Sequence, residues 1–114
     1  MTPDEPIIGV VGPCASGKST LVADLKYRNI NARHIAQEHS YVKDMWKQIN
    51  NPDLLIYLDV SFEVSMTRTG TTWTRVIFDK QVARLEHARE HADIYIQTDI
   101  LTPEQVLNQV LEFL

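Results

Sequence analysis

The chain has 114 residues, 44% hydrophobic and 23% charged, and this composition is typical of one globular domain. The formal net charge of −4 leaves no basic surface for nucleic acid, and no apolar run approaches the roughly 18 residues of a membrane span. We therefore expect neither a nucleic-acid nor a membrane partner. The single cysteine excludes an internal disulfide, and the acidic, proline-bearing N-terminus lacks the features of a signal peptide, so we expect a cytoplasmic protein.

The first predicted strand leads directly into a glycine-rich loop. Residues 7–11, Ile-Ile-Gly-Val-Val, form a β-branched run suited to a buried parallel strand. Residues 12–19, Gly-Pro-Cys-Ala-Ser-Gly-Lys-Ser, match the phosphate-binding pattern G-x-x-x-x-G-K-[ST] at every required position. Apolar residues at helical spacing between Thr20 and Tyr27 then predict a helix, so the strand, loop and helix that the motif requires are all present.

Each fixed position of this loop has a chemical reason. Gly12 and Gly17 let successive backbone N–H groups point at phosphate oxygens. Lys18 is expected to reach the β- and γ-phosphates, and Ser19 to offer its hydroxyl to Mg²⁺. The residues predicted to bind the nucleotide are Gly12, Pro13, Cys14, Ala15, Ser16, Gly17, Lys18, Ser19 and Thr20.

Cys14 has two interpretations. It is either a small space-filling side chain, or a thiol whose pKa is lowered by Lys18 and the helix N-terminus, so that alkylation or oxidation blocks nucleotide binding.

The middle of the chain predicts two strands separated by a helix. Residues Ala32 to Ala36 are compatible with a second strand, and apolar residues between Tyr41 and Ile49 recur at the spacing of an amphipathic helix. Residues 54–60, Leu-Leu-Ile-Tyr-Leu-Asp-Val, form the strongest strand, a nearly continuous apolar run that should be central in the sheet.

The second half predicts three helices and one strand. Ser61 is expected to cap a short helix to Arg68, and Thr74 a longer helix to about His91 with an apolar stripe. That stripe comprises Val76, Ile77, Phe78, Val82 and Leu85. A strand follows from Asp93 to Thr98, and Thr102 begins a capping box that opens the last helix. Alternating strands and helices predict an α/β fold, a three-layer α/β/α sandwich whose mainly parallel sheet has about four strands, in a single domain 1–114.

The order of these elements resembles that of the P-loop kinases of the nucleoside and nucleotide kinase group, in particular the thymidylate kinase and deoxynucleoside kinase families. The similarity rests on the loop at residues 12–19, the Pro-Asp strand at 52–60, the arginine-bearing stretch after it, and the closing strand and helix at 92–106. The resemblance implies ATP as phosphate donor, Mg²⁺ as cofactor, and a small-molecule acceptor such as a nucleoside or nucleotide. Those kinases usually have a further strand ending in an Asp-Arg pair, which this chain lacks, so its acceptor side is abbreviated.

Four positions outside the loop are further candidates. By resemblance, Glu38 is the base toward the acceptor hydroxyl, the alternatives being a solvent-facing carboxylate, or His39 beside it as the base. Asp59, at the end of the central strand, is expected to hold Mg²⁺ through water, or else to cap the next helix. Arg68 and Arg75 bracket the loop around Gly70 as lid arginines do, and are either phosphate clamps or surface residues. The predicted catalytic set is thus Lys18, Glu38, Arg68 and Arg75.

Three weaker patterns were weighed as well. Tyr41 and Trp46 are either core residues or a platform for the acceptor ring, and Trp73 either covers adenine or anchors the lid. Residues 87–91, His-Ala-Arg-Glu-His, fit the zinc pattern H-x-x-E-H, although an exposed charged helix explains both histidines.

The sequence therefore predicts a small kinase that transfers the γ-phosphoryl group of Mg-ATP. An ATPase or GTPase switch and a nucleotide-binding module without turnover are the alternatives, and the chain is expected to be a monomer or a homodimer. No N-K-x-D pattern for reading guanine is present.

Overall fold

The computed structural model of the chain describes residues 5–70 and 74–114. Its centre is a four-stranded sheet in which every neighbouring pair is parallel and the strand order is β2-β1-β3-β4. The strands are β1 Ile8–Val11, β2 Ala32–His34, β3 Leu54–Asp59 and β4 Ile94–Gln97. The predictions of an α/β fold and of a parallel sheet with about four strands are confirmed.

Within residues 5–70 and 74–114, four α-helices connect and flank the strands. They are α1 Lys18–Tyr27, α2 Phe62–Thr69, α3 Arg75–His91 and α4 Pro103–Phe113. All three predicted caps are confirmed, because the hydroxyls of Ser61, Thr74 and Thr102 each accept a hydrogen bond from a backbone N–H of the first turn. None of these helices is long and apolar enough to cross a membrane, within the residues that the structure describes.

Alternate residues of β3 contribute to two separate hydrophobic clusters. Ile56 and Leu58 are buried with apolar residues of α1 and α4, whereas Leu55 and Tyr57 are buried with Leu85 of α3. Successive side chains of a strand point to opposite faces, so both faces of β3 are covered. This explains the continuous apolar run that marked β3 in the sequence.

The segment between β2 and β3 differs from its prediction. β2 ends at His34 and is followed by a 3₁₀ turn Gln37–His39, and the helix predicted between Tyr41 and Ile49 is present only in its second half, as the π-helix Trp46–Asn50. The amide of Gln37 donates to the carbonyl of Val42 at 2.8 Å and accepts from the backbone N–H of Trp46 at 2.9 Å. A buried side chain thereby takes the place of helical backbone partners, which periodicity does not reveal.

The buried face of α3 also differs in part from the predicted stripe. Phe78 and Leu85 are buried as predicted, but Val76 is 62% exposed and Ile77 is exposed too. Gln81 and Ala88 are buried instead, because helical spacing from Phe78 and Leu85 brings them onto the same face.

Candidate functional site

The loop of residues 12–17 joins β1 to α1 and depends on two glycines. Gly12 has a φ of +156°, and a Cβ there would lie 2.2 Å from the carbonyl oxygen of Leu58. The loop therefore passes directly against the end of β3. Gly17 has a φ of +100° and precedes the first residue of α1, so that the helix N-terminus opens toward the loop.

Lys18 folds back over this loop. Its ammonium group donates to the carbonyl oxygens of Gly12 at 2.6 Å and Pro13 at 3.1 Å, and to Oε2 of Glu38 at 2.6 Å. The side chains of Lys18 and Glu38 are only 5% and 3% exposed. The structure thus brings together two of the predicted catalytic residues, which are 20 positions apart in the chain.

Glu38 lies in the 3₁₀ turn after β2, and the prediction of a solvent-facing carboxylate is wrong. The guanidinium of Arg84, on α3, donates to the backbone carbonyl of Glu38 at 3.3 Å and fixes this turn against the helix. Oε1 of Glu38 is buried and has no hydrogen-bond partner in the part of the chain that the structure describes. The carboxylate therefore keeps acceptor capacity that Lys18 does not use.

A cavity of about 290 Å³, which we call the loop cavity, opens over Lys18. It is lined by Cys14, Ala15, Gly17, Lys18, Ser19, Thr20, His34 and Glu38. Burial and the nearby charge of Lys18 lower the pKa of His34, while Glu38 acts in the opposite direction. The cavity thus contains one cation, one anion and one imidazole that stays largely neutral at pH 7.

A second cavity of about 250 Å³, the side cavity, adjoins the first. Both cavities are lined by Ala15, Gly17 and Thr20. The remaining lining of the side cavity is mostly apolar and comprises Ser16, Leu21, Arg68, Thr98, Leu101, Pro103 and Val106.

Arg68 ties the loop to the end of β4. Its guanidinium donates to the carbonyl oxygen of Ala15 at 3.0 Å, to the hydroxyl of Thr98 at 3.0 Å and to the carbonyl oxygen of Thr98 at 2.6 Å. Those three contacts hold Arg68 at the wall of the side cavity. A lid arginine that clamps the transferring phosphate was expected here, whereas these bonds stabilise the loop itself.

Asp59 lies outside the lining of both cavities. Its Oδ2 accepts a short hydrogen bond from the hydroxyl of Tyr95, and its Oδ1 accepts from the backbone N–H of Val60 at 2.9 Å. Burial and the hydrogen bond to Asp59 raise the pKa of Tyr95 to about 12. The alternative that Asp59 caps the next helix is wrong, because Ser61 supplies that cap.

Arg75 lines neither cavity and is exposed. Its guanidinium pairs with Asp79 at 3.2 Å in an i,i+4 contact in which both side chains are more than 60% exposed, and it lies 5.2 Å from the ring centroid of Phe62. The predicted lid tip, including Trp73, lies outside the described residues.

The two aromatic candidates separate in the structure. Trp46 is buried and its indole donates to Nδ1 of His87 at 3.1 Å, whereas Tyr41 is 89% exposed beneath the guanidinium of Arg84. His87 also stacks on His91 at 4.2 Å between ring centroids. Trp46 is therefore a core residue, and the two histidines of the H-x-x-E-H pattern pack against each other, with His87 also hydrogen-bonded to Trp46.

Sequence reasoning missed Gln81. Its Oε1 accepts from the backbone N–H of Cys14 at 3.1 Å, and its Nε2 donates to Sγ of Cys14 at 3.4 Å. The signal that could have revealed it is a polar residue three positions after Phe78 and four before Leu85, on the buried face of α3.

No protein-family model matches the sequence, and none of the curated proteins matches it significantly.

Proposed function

We propose that the chain is a P-loop phosphotransferase of three-layer α/β/α architecture, a small kinase that transfers the γ-phosphoryl group of Mg-ATP to a small-molecule acceptor. The observation that carries this proposal is the position of Lys18. It lies at the start of α1, and its ammonium group is hydrogen-bonded to the glycine-bearing loop. The same ammonium lies 2.6 Å from the buried carboxylate of Glu38, and both residues line the loop cavity.

The donor side fits a nucleoside triphosphate. Phosphate oxygens are favoured in the loop cavity by the Lys18 ammonium and by the N-terminus of α1. The apolar side cavity, with Leu101 and Val106 among its lining, suits the flat ring of a base, and it shares Ala15, Gly17 and Thr20 with the lining of the loop cavity. One polar and one apolar cavity thus meet at a single loop, as a molecule with a polyanionic tail and an aromatic head requires.

Magnesium fits the same site through Ser19. The side chain of Ser19 is exposed at the loop cavity, and Mg²⁺ prefers oxygen ligands such as this hydroxyl. A bound Mg²⁺ neutralises phosphate charge during transfer. Asp59, the other residue predicted to hold magnesium, accepts a hydrogen bond from Tyr95, and its role as a magnesium ligand stays a sequence-based hypothesis.

Glu38 is suited to the acceptor side. When a hydroxyl oxygen of the acceptor bonds to the γ-phosphorus and the bond to ADP breaks, the hydroxyl proton must leave, and the carboxylate of Glu38 can take it. For this role Lys18 has to exchange Glu38 for phosphate, which a flexible lysine side chain allows. The neutral form of His34 on the same cavity wall provides a second acceptor for hydrogen bonds.

The test combines binding with product analysis. Calorimetric titration with Mg-ATP, followed by phosphorus NMR of the chain mixed with Mg-ATP and pooled nucleosides and nucleotides, should show ADP and a new phosphoester. Lys18→Ala and Ser19→Ala should each reduce affinity or turnover at least tenfold, while Lys80→Ala, a lysine exposed on α3, should leave both unchanged. Unchanged affinity and activity in both loop variants would refute the proposal.

The second candidate is a P-loop ATPase or a nucleotide-binding module without an acceptor. It is favoured by the segment between β2 and β3, where the described structure has only a 3₁₀ turn and a five-residue π-helix to enclose an acceptor. In the same NMR experiment, ADP with free phosphate identifies the hydrolase, and binding without turnover identifies the module. Sedimentation with and without nucleotide distinguishes a monomer from a homodimer.

A further inference from the structure

Three side chains with metal-binding atoms converge at the rim of the loop cavity. Cys14 comes from the loop after β1, and Glu38 and His39 come from the 3₁₀ turn after β2. Nε2 of His39 lies 3.9 Å from Sγ of Cys14 and 3.9 Å from Oε2 of Glu38, and one ligand atom from each residue fits within 4.8 Å of the other two.

We propose that Cys14, Glu38 and His39 form a binding site for a soft divalent cation, with Zn²⁺ as the ion that best fits the donor set. Thiolate, imidazole and carboxylate are the three ligand types that zinc binds. Zinc bonds of about 2.0–2.3 Å in a tetrahedral arrangement place neighbouring ligand atoms roughly 3.3–3.7 Å apart. The two separations of 3.9 Å that involve His39 therefore require shifts of only a few tenths of an ångström, whereas the ligand atoms of Cys14 and Glu38, which lie within 4.8 Å of each other, have to approach by up to about 1 Å.

A bound ion would face two negative charges and one positive charge. These are the thiolate of Cys14, the carboxylate of Glu38 and the ammonium of Lys18, whose 2.6 Å hydrogen bond to Glu38 opposes the ion. The thiol proton of Cys14 leaves to solvent as the sulfur–metal bond forms. The oxygen of Glu38 that lies 3.9 Å from His39 is Oε2, which accepts from Lys18, whereas Oε1 is buried without a hydrogen-bond partner among the described residues, so the carboxylate has to rotate to bind the ion and keep Lys18.

Gln81 holds the sulfur in position. Oε1 of Gln81 accepts a hydrogen bond from the backbone N–H of Cys14, and Nε2 of Gln81 donates one to Sγ. One residue of α3 thereby orients both the main chain and the side chain of Cys14. Partners of this kind fix the direction of a metal ligand. His39 is 59% exposed, which gives an ion a path from solvent.

The site overlaps the loop cavity, since Cys14 and Glu38 line both. A bound ion competes with Lys18 for Glu38 and places a positive charge and its ligands at the rim of the cavity. This consequence would allow the ion to modulate binding at the loop, but binding of the ion does not depend on the function proposed above.

The test is a titration of the intact chain, without nucleotide, with Co²⁺ as a coloured substitute for Zn²⁺. The wild-type chain should develop a sulfur-to-cobalt charge-transfer band in the near ultraviolet, and added Zn²⁺ should abolish the band. Cys14→Ser should abolish it as well, with folding verified by circular dichroism. His39→Ala, at an exposed position, should weaken Zn²⁺ binding measured by calorimetry at least about tenfold.

His91→Ala is the matched control, because His91 is also exposed but lies on α3 outside the three-residue group. Its affinity for Zn²⁺ should equal that of the wild type. The absence of a charge-transfer band in the wild type, or equal Zn²⁺ affinities of the His39→Ala and His91→Ala variants, would overturn the proposal.

Discussion

Lys18 and Glu38 form an ion pair of 2.6 Å between the first turn of α1 and the 3₁₀ turn after β2, and neither side chain is more than 5% exposed. The pair balances charge between two side chains that are almost fully buried. Because each partner was predicted from a different argument, one from the loop motif and one from a family resemblance, their contact is the central relationship of the candidate site.

This pair predicts strong coupling in stability. Lys18→Met leaves the carboxylate of Glu38 buried without its cation, so the free energy of unfolding should fall by about 3–5 kcal/mol. The double variant Lys18→Met/Glu38→Gln should be more stable than Lys18→Met alone, because the uncompensated charge is gone. Urea denaturation of the wild type, both single variants and the double variant gives the coupling energy, and strictly additive effects would contradict the prediction.

The same pair should control the protonation of His34. Lys18 lowers the pKa of His34 and Glu38 raises it, so Lys18→Met should move that pKa upward and Glu38→Gln should move it downward. NMR titration of the imidazole protons measures both shifts, with His91 as the internal control. Shifts of the same sign in the two variants would be inconsistent with this electrostatic arrangement.

The lowered pKa also has a consequence for stability. Below about pH 6.5, the ordinary pKa of histidine, the unfolded chain binds more protons at this position than the folded chain does. The contribution of His34 to stability is therefore present above that pH and lost as the pH falls through the lowered pKa. His34→Gln should reduce the slope of the unfolding free energy against pH in this range.

Arg68 and Arg75, which sequence reasoning treated alike, should behave differently. Arg68→Ala removes one hydrogen bond to Ala15 of the loop and two to Thr98, so that the loop is no longer linked to Thr98 through this side chain. We therefore expect a loss of about 1–3 kcal/mol in unfolding free energy and weaker ATP binding. Arg75→Ala removes an exposed ion pair with Asp79, and its effect on stability should be within about 1 kcal/mol of zero. Thermal denaturation and calorimetry compare the two, and equal effects would show that the contacts of Arg68 contribute little.

The two glycines of the loop should also differ. Gly12→Ala places a Cβ 2.2 Å from the carbonyl oxygen of Leu58, so β3 or the loop must shift, and we expect a loss of at least about 2 kcal/mol. Gly17→Ala meets no atom within 4 Å and incurs only the cost of a positive φ, about 1–2 kcal/mol. Chemical denaturation of both variants provides the comparison, and a larger loss at Gly17 would be contrary to this expectation.

The local signals in the sequence proved sufficient for most elements. The β-branched and apolar runs located β1, β3 and β4, and the hydroxyl caps at Ser61, Thr74 and Thr102 located three helix starts. They succeeded because each depends on residues within a few positions of one another. The helix predicted between Tyr41 and Ile49 forms only as the π-helix Trp46–Asn50, because the side chain of Gln37 occupies the carbonyl of Val42 and the backbone N–H of Trp46, which a regular α-helix would bond to each other.

The sequence by itself determined the succession of strands and α-helices along the chain, apart from the segment between β2 and β3. It also determined the glycine-bearing loop, with Lys18 and Ser19 at the start of α1. Only the tertiary structure decided which distant residues meet there. It buried Glu38 against Lys18, tied Arg68 to Ala15, bonded Asp59 to Tyr95, and left Arg75 exposed. The physical reason is that backbone pattern is fixed by neighbouring residues, whereas the partner of a charged side chain is fixed by the packing that brings separate turns together.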